Sequence, residues 1–98
     1  MVKNKKTPAS SSKDNLEDMF PCFFPIKIVG LSSNEFETNV LTLIRKTLPD
    51  LKENAIQNRL SKEGKYLAIT VTVWVQNKAQ LDTIYQDLTK SPYVIMAL

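Results

Sequence analysis

The chain has 98 residues, 43% of them hydrophobic, with thirteen Lys and Arg against ten Asp and Glu, one Cys and no His. That length holds a single domain with one core. Lone Cys22 excludes a disulfide-stapled secreted scaffold, the absence of His excludes imidazole-based triads and metal sites, and no apolar run approaches the ~18 residues of a membrane span.

The net charge of +3 is unevenly spread: Lys3, Lys5, Lys6 and Lys13 fall in the first thirteen residues, so from Asp14 onward nine basic residues face ten acidic ones. A domain that grips several phosphates carries its positive excess on the folded surface, so nucleic acid is not expected as the main partner. Residues 1–19 are rich in Lys and Ser and too polar to offset the entropy of ordering, which predicts a disordered tail. A short helical turn is expected at its end, from Leu16 to Met19. The basic start is followed by no apolar segment, so it is not a secretory signal, and a cytoplasmic, non-membrane protein is expected.

The folded domain is expected over residues 20–98. In residues 20–30 (FPCFFPIKIVG), Pro21 and Pro25 cannot donate ladder hydrogen bonds, so strand pairing is expected to begin near Phe24. Phe24, Ile26 and Ile28 then face one way and Lys27 and Val29 the other, and Gly30 ends the strand. Ser32 and Glu35 have the spacing of a capping box. Behind them Phe36, Val40, Leu43, Ile44 and Thr47 recur at helical steps, until Pro49 stops the helix.

Residues 54–61 alternate weakly, with Ile56, Asn58 and Leu60 on one side and Gln57 and Arg59 on the other, as an edge strand does. Lys62, Glu63 and Gly64 turn the chain into residues 65–75 (KYLAITVTVWV). Here alternation is strict: Leu67, Ile69, Val71, Val73 and Val75 form an apolar face, opposite Tyr66, Ala68, Thr70, Thr72 and Trp74. Asn77, with Gln80 three residues on, caps a second helix whose stripe is Leu81, Ile84, Tyr85 and Leu88. Ser91 and Pro92 break it, and residues 93–98 (YVIMAL) form a last short strand with Val94 and Met96 facing the core.

The order strand, helix, strand, strand, helix, strand predicts an α+β ferredoxin-like βαββαβ fold. Its antiparallel sheet has the order 4-1-3-2, with both helices on one face. The other face then carries Lys27, Val29, Tyr66, Thr70, Thr72, Trp74, Tyr93 and Ile95, the candidate binding or association surface. The uncharged edge strand 93–98 is poorly defended against strand addition, so a homodimer or a protein partner is expected there or on the open sheet face.

Two stretches also carry a family resemblance: Phe20, Pro21, Pro25, Lys27 and Gly30 in the first, and Ser61, Lys62, Gly64 and Tyr66 in the second. Both resemble the YbeD-like family of small bacterial proteins of undefined function, and the likeness covers about residues 20–98. It implies a ferredoxin-like fold similar to the ACT-type regulatory domains of amino-acid enzymes. By that analogy the chain is a non-catalytic regulatory or interaction module that binds a small metabolite or a protein partner. The alternative is a nucleic-acid-binding ferredoxin-like domain assisted by the Lys-rich tail. Acylphosphatases share the topology but need an arginine cradle after the first strand, where this chain has Gly30, Leu31, Ser32 and Ser33. No catalytic residue, metal ligand or cofactor is expected.

Overall fold

The computed structural model describes residues 18–98, so the expected tail lies outside the described residues as far as Glu17. The elements are β1 (Cys22–Leu31), α1 (Asn34–Thr47), a 3-10 turn (Glu53–Ala55), β2 (Ile56–Leu60), β3 (Tyr66–Val75), α2 (Lys78–Thr89) and β4 (Val94–Ala97). They form one antiparallel sheet in the order β2-β3-β1-β4. This is the βαββαβ arrangement expected from the sequence, with its two central strands paired along their full length.

Alternation in the two long strands decides where the core lies. Ile26 and Ile28 of β1 and Ile69, Val71, Val73 and Val75 of β3 have no exposed surface, and Leu67 retains 7%. Phe36, Val40 and Ile44 of α1 and Leu81, Ile84 and Leu88 of α2 close over them. The two helices lie together on this face, joined at their outer sides by an ion pair between Lys46 and Asp87 at 3.8 Å.

β1 begins two residues earlier than expected, at Cys22, and runs through Pro25. In register, Lys27 exchanges hydrogen bonds with Leu98 on the β4 side, and alternation points the backbone of Phe23 and Pro25 to that same side. β4 and Leu98 pair with β1 only from Lys27 onward. The N–H that Pro25 lacks therefore has no neighbouring strand to meet, and a proline costs nothing there.

The first cap also lies one residue later than the capping-box spacing predicts. Ser33 is the N-cap, its hydroxyl accepting from the Phe36 N–H at 3.0 Å. Ser32 is committed elsewhere, its N–H donating to the Lys65 carbonyl at 2.9 Å. The second cap is where it was expected: the Asn77 side chain accepts from the Gln80 N–H at 2.9 Å, while the Gln80 side-chain oxygen accepts from the Gln76 N–H at 2.8 Å.

Two glycines meet different needs. Gly64, at φ +76°, completes the β2–β3 turn in a conformation costly for residues with a Cβ. Gly30 is needed for space, because its Cα packs against the Tyr93 carbonyl and the Phe36 ring. Nearby, buried Ser91 donates to the Asn39 side chain and accepts from the Tyr93 N–H, fixing the corner between α2 and β4 against α1.

One expected core residue moves outside. β4 carries an extra residue between the pairs Gly30–Val94 and Val29–Met96, a β-bulge. The bulge shifts the alternation by one, so Ala97 pairs with Ile28 on the core side while Met96 pairs with Val29 on the opposite face and stays 47% exposed.

Candidate functional site

The face of the sheet away from the helices is uncovered by any described residue, and cross-strand pairing orders it into rows. Partners in an antiparallel pair point to the same side, so Trp74 sits beside Phe23, Thr72 beside Pro25, Thr70 beside Lys27, Ala68 beside Val29 and Tyr66 beside Leu31. β2 adds Gln57 next to Thr70 and Arg59 next to Ala68. β4 adds Met96 next to Val29, and Leu98 continues the ladder opposite Lys27.

The expected surface residues Lys27, Val29, Tyr66, Thr70, Thr72 and Trp74 are therefore brought together on this face. Ile95 is exposed at the bulge in β4. Tyr93 departs from the expectation: it precedes β4 and lines a hollow along α1 with Asn34, Asn39 and Thr42. Its carbonyl packs over Gly30 on the helix side, because the chain must first clear the Ser91 corner before it enters the sheet.

Phe23, Pro25, Leu31, Gln57, Arg59, Met96 and Leu98 also lie on the face and were not among the expected surface residues. Six large apolar side chains on it are well exposed: Phe23, Leu31, Tyr66, Trp74, Met96 and Leu98. Phe23 and Trp74 pack edge to face, with ring centroids 4.8 Å apart and planes at 62°, the geometry favoured by the ring quadrupoles. At the other end the Lys65 ammonium lies 5.5 Å from the Tyr66 ring centre, a cation–π contact. No acidic side chain projects from any row of the face. Among the described residues neither Lys27 nor Arg59 has an ion-pair partner.

A cleft of about 570 Å³ adjoins the aromatic end of the face. It exists because β2 is half the length of β3: pairing between them stops at Ile56 and Val71, leaving the last four residues of β3 without a strand on that side. Phe23, Thr72 and Trp74 form one wall and the connection from Leu48 to Ala55 the other. Arg45 steadies that connection by donating from its guanidinium to the Leu51 carbonyl at 3.3 Å. The volume falls within the ~300–1,000 Å³ of small-molecule sites.

The described residues contain no group of three or more potential metal ligands, and none of their helices is long and apolar enough to cross a membrane. Away from the face, burial raises the half-buried Tyr85 phenol on α2 above its usual value.

Comparison with known sequences agrees with this architecture. The family described as "Protein of unknown function (DUF493)" matches residues 17–98. The chain belongs to the DUF493 family. Among DUF493 relatives, the UPF0250 protein NE1487 of Nitrosomonas europaea is 39% identical over 79 residues, covering 81% of this chain and 91% of its own. A UPF0250 protein of Chromobacterium violaceum is 44% identical over 79 residues, covering 81% and 89%. Among solved structures, protein HP0495 from H. pylori superposes with a TM-score of 0.70 at 17% identity, covering 97% of this chain and 98% of that one. The ACT domain from GTP pyrophosphokinase of Chlorobium tepidum gives a TM-score of 0.61 at 23% identity, covering 79% and 83%. At such identities the likeness is one of fold, and the DUF493 domain has an ACT-like fold.

Proposed function

We propose that this DUF493 domain is a non-catalytic interaction module of regulatory type, and that its open sheet face and the adjoining cleft bind a protein partner or a small metabolite. One observation carries the reading: six exposed large apolar side chains share one face, with an aromatic pair at the mouth of a cleft. Exposed apolar surface gathered in one place and interleaved with polar groups marks an association site, and paired aromatics are the usual anchors of such sites. The ACT-like fold supports the regulatory side of the reading by analogy. On this reading no bond is made or broken, and cytoplasmic partners are the relevant ones. A homodimer contact belongs at the short, uncharged β4 edge, where sedimentation velocity should show self-association that a charged residue at Ile95 prevents.

The test pairs a thermal-shift screen of amino acids and related acids with affinity capture from the source cell. A ligand at 100 times its Kd adds about 2.7 kcal/mol, which raises Tm by about 10 °C or more in a domain of this size. Capture should be lost in the Phe23→Ala/Trp74→Ala double variant. Capture unaffected by that variant, with no compound shifting Tm, would remove the reading.

A further inference from the structure

We infer that the occupant of the open face is an amphipathic helix of a partner protein, with carboxylates at its middle and apolar residues towards both ends. This rests on the open face being a binding surface, and it names the chemistry of what binds. The face is banded. Phe23 and Trp74 occupy one end of the central strands and Leu31 and Tyr66 the other, where Lys65 lies against the Tyr66 ring. Lys27 and Arg59 lie in the rows between, with Met96 and Leu98 at the β4 side of those rows. Lys27 is on β1 and Arg59 on β2, with one strand between and a row apart. Spacings of ~4.8 Å per strand and ~3.3 Å per residue put them roughly 12 Å apart. Along the strands, the direction the helix follows, they are only two residues or about 6.6 Å apart. Carboxylates one helical turn apart match that spacing at ~1.5 Å rise per residue, with the long Lys27 and Arg59 side chains reaching in from either side.

The length fits as well. Phe23 and Leu31 are eight residues apart on β1, or about 27 Å, the length of an ~18-residue helix. Helices are also what already covers the other face of this sheet, since a sheet face buries its apolar rows against a second layer. Six side chains, each about half exposed, present roughly 600 Å², most of the ~800 Å² per partner in a specific complex.

Two other occupants fit less well. A second copy stacked face to face would bring two Lys27 and two Arg59 side chains into one interface with no acidic side chain to meet them, and desolvated like charges are costly. Single-stranded RNA needs neighbouring ring faces for neighbouring bases. Here Phe23 and Trp74 pack against each other, Tyr66 lies eight residues from Trp74 on β3, and the rows between them carry no aromatic ring.

The experiment uses the full chain and two 18-residue helical peptides with identical Leu and Phe anchors, one with Glu and one with Lys at the central positions. Trp74, the single tryptophan, reports binding by fluorescence. The Glu peptide should bind at least ten-fold more tightly than the Lys peptide at low salt. The gap should narrow in 0.5 M salt, and the preference should reverse in a Lys27→Glu/Arg59→Glu variant whose circular dichroism matches the parent. Equal binding of both peptides would overturn the acidic assignment while leaving the face as a binding surface. Failure of both peptides to perturb Trp74 overturns the inference, and so does tighter binding of a twelve-residue oligouridine or self-association that shields Trp74. Loss of partner capture in the Phe23/Trp74 double variant would still uphold the binding-surface reading in those cases.

Discussion

Replacing Gly30 with alanine should be among the most damaging single-methyl additions in this domain. The new Cβ would lie 2.5 Å from the Tyr93 carbonyl oxygen and 2.6 and 2.7 Å from two carbons of the Phe36 ring. Neither obstacle yields easily. The first is backbone, held by the Ser91 corner, and the second belongs to a side chain only 1% exposed. Overpacking of a tight core costs about 1–3 kcal/mol, and two rigid neighbours place Gly30→Ala near 3 kcal/mol. At ~4–8 °C per kcal/mol for a domain of this size, Tm should fall by about 15 °C. Gly64→Ala is the control, since nothing lies within 4 Å of its Cβ position but φ is +76°. Its cost is conformational, about 1–2 kcal/mol, and Gly64→Asn should recover part of it because Asn tolerates that region. Urea unfolding of the three variants measures the differences. A Gly30→Ala variant within 0.5 kcal/mol of the parent, or less affected than Gly64→Ala, would refute the packing assigned to the β1–β4 junction.

Ser33→Ala should cost about 1 kcal/mol through loss of the cap, while Ser32→Ala should cost less than half of that, and equal losses in urea unfolding would place the cap wrongly. Ile69→Ala, at a position with no exposed surface between the two helices and the sheet, should cost 2–5 kcal/mol. Burial raises the Tyr85 pKa above the usual phenol value, so the unfolded chain releases that proton first. Its contribution to stability is complete below about pH 10 and is lost as pH rises through the folded value. Tyr85→Phe should therefore flatten the decline of stability above pH 10 relative to the parent.

The elements and their order could be read from the sequence because the deciding signals are local. The alternation of residues 65–75 survives intact in β3, Asn77 caps α2, and Gly64 turns where a positive φ is needed. What the sequence hid depends on contacts distant along the chain. Met96 faces outward because of a bulge at the Gly30 crossing, which no pattern within residues 93–98 reveals. Phe23 falls outside the strand that the sequence predicts because Pro25 reads as a strand breaker. Proline is harmless there only because β4 does not reach that part of β1. Its place beside Trp74, and so the aromatic anchor, follows from that pairing. The cleft was invisible for a similar reason, arising from the difference in length between two paired strands.

The central claim is that the helix-free face of the sheet is where this domain meets its partner. Hydroxyl-radical footprinting of the purified chain, alone and after incubation with extract of its source cell, tests that directly. The account predicts that Phe23, Trp74 and Met96 are oxidised readily in isolation and protected in extract, while Tyr85 on α2 is unchanged. Equal labelling of those three residues in both conditions, or protection confined to the helices, would contradict it.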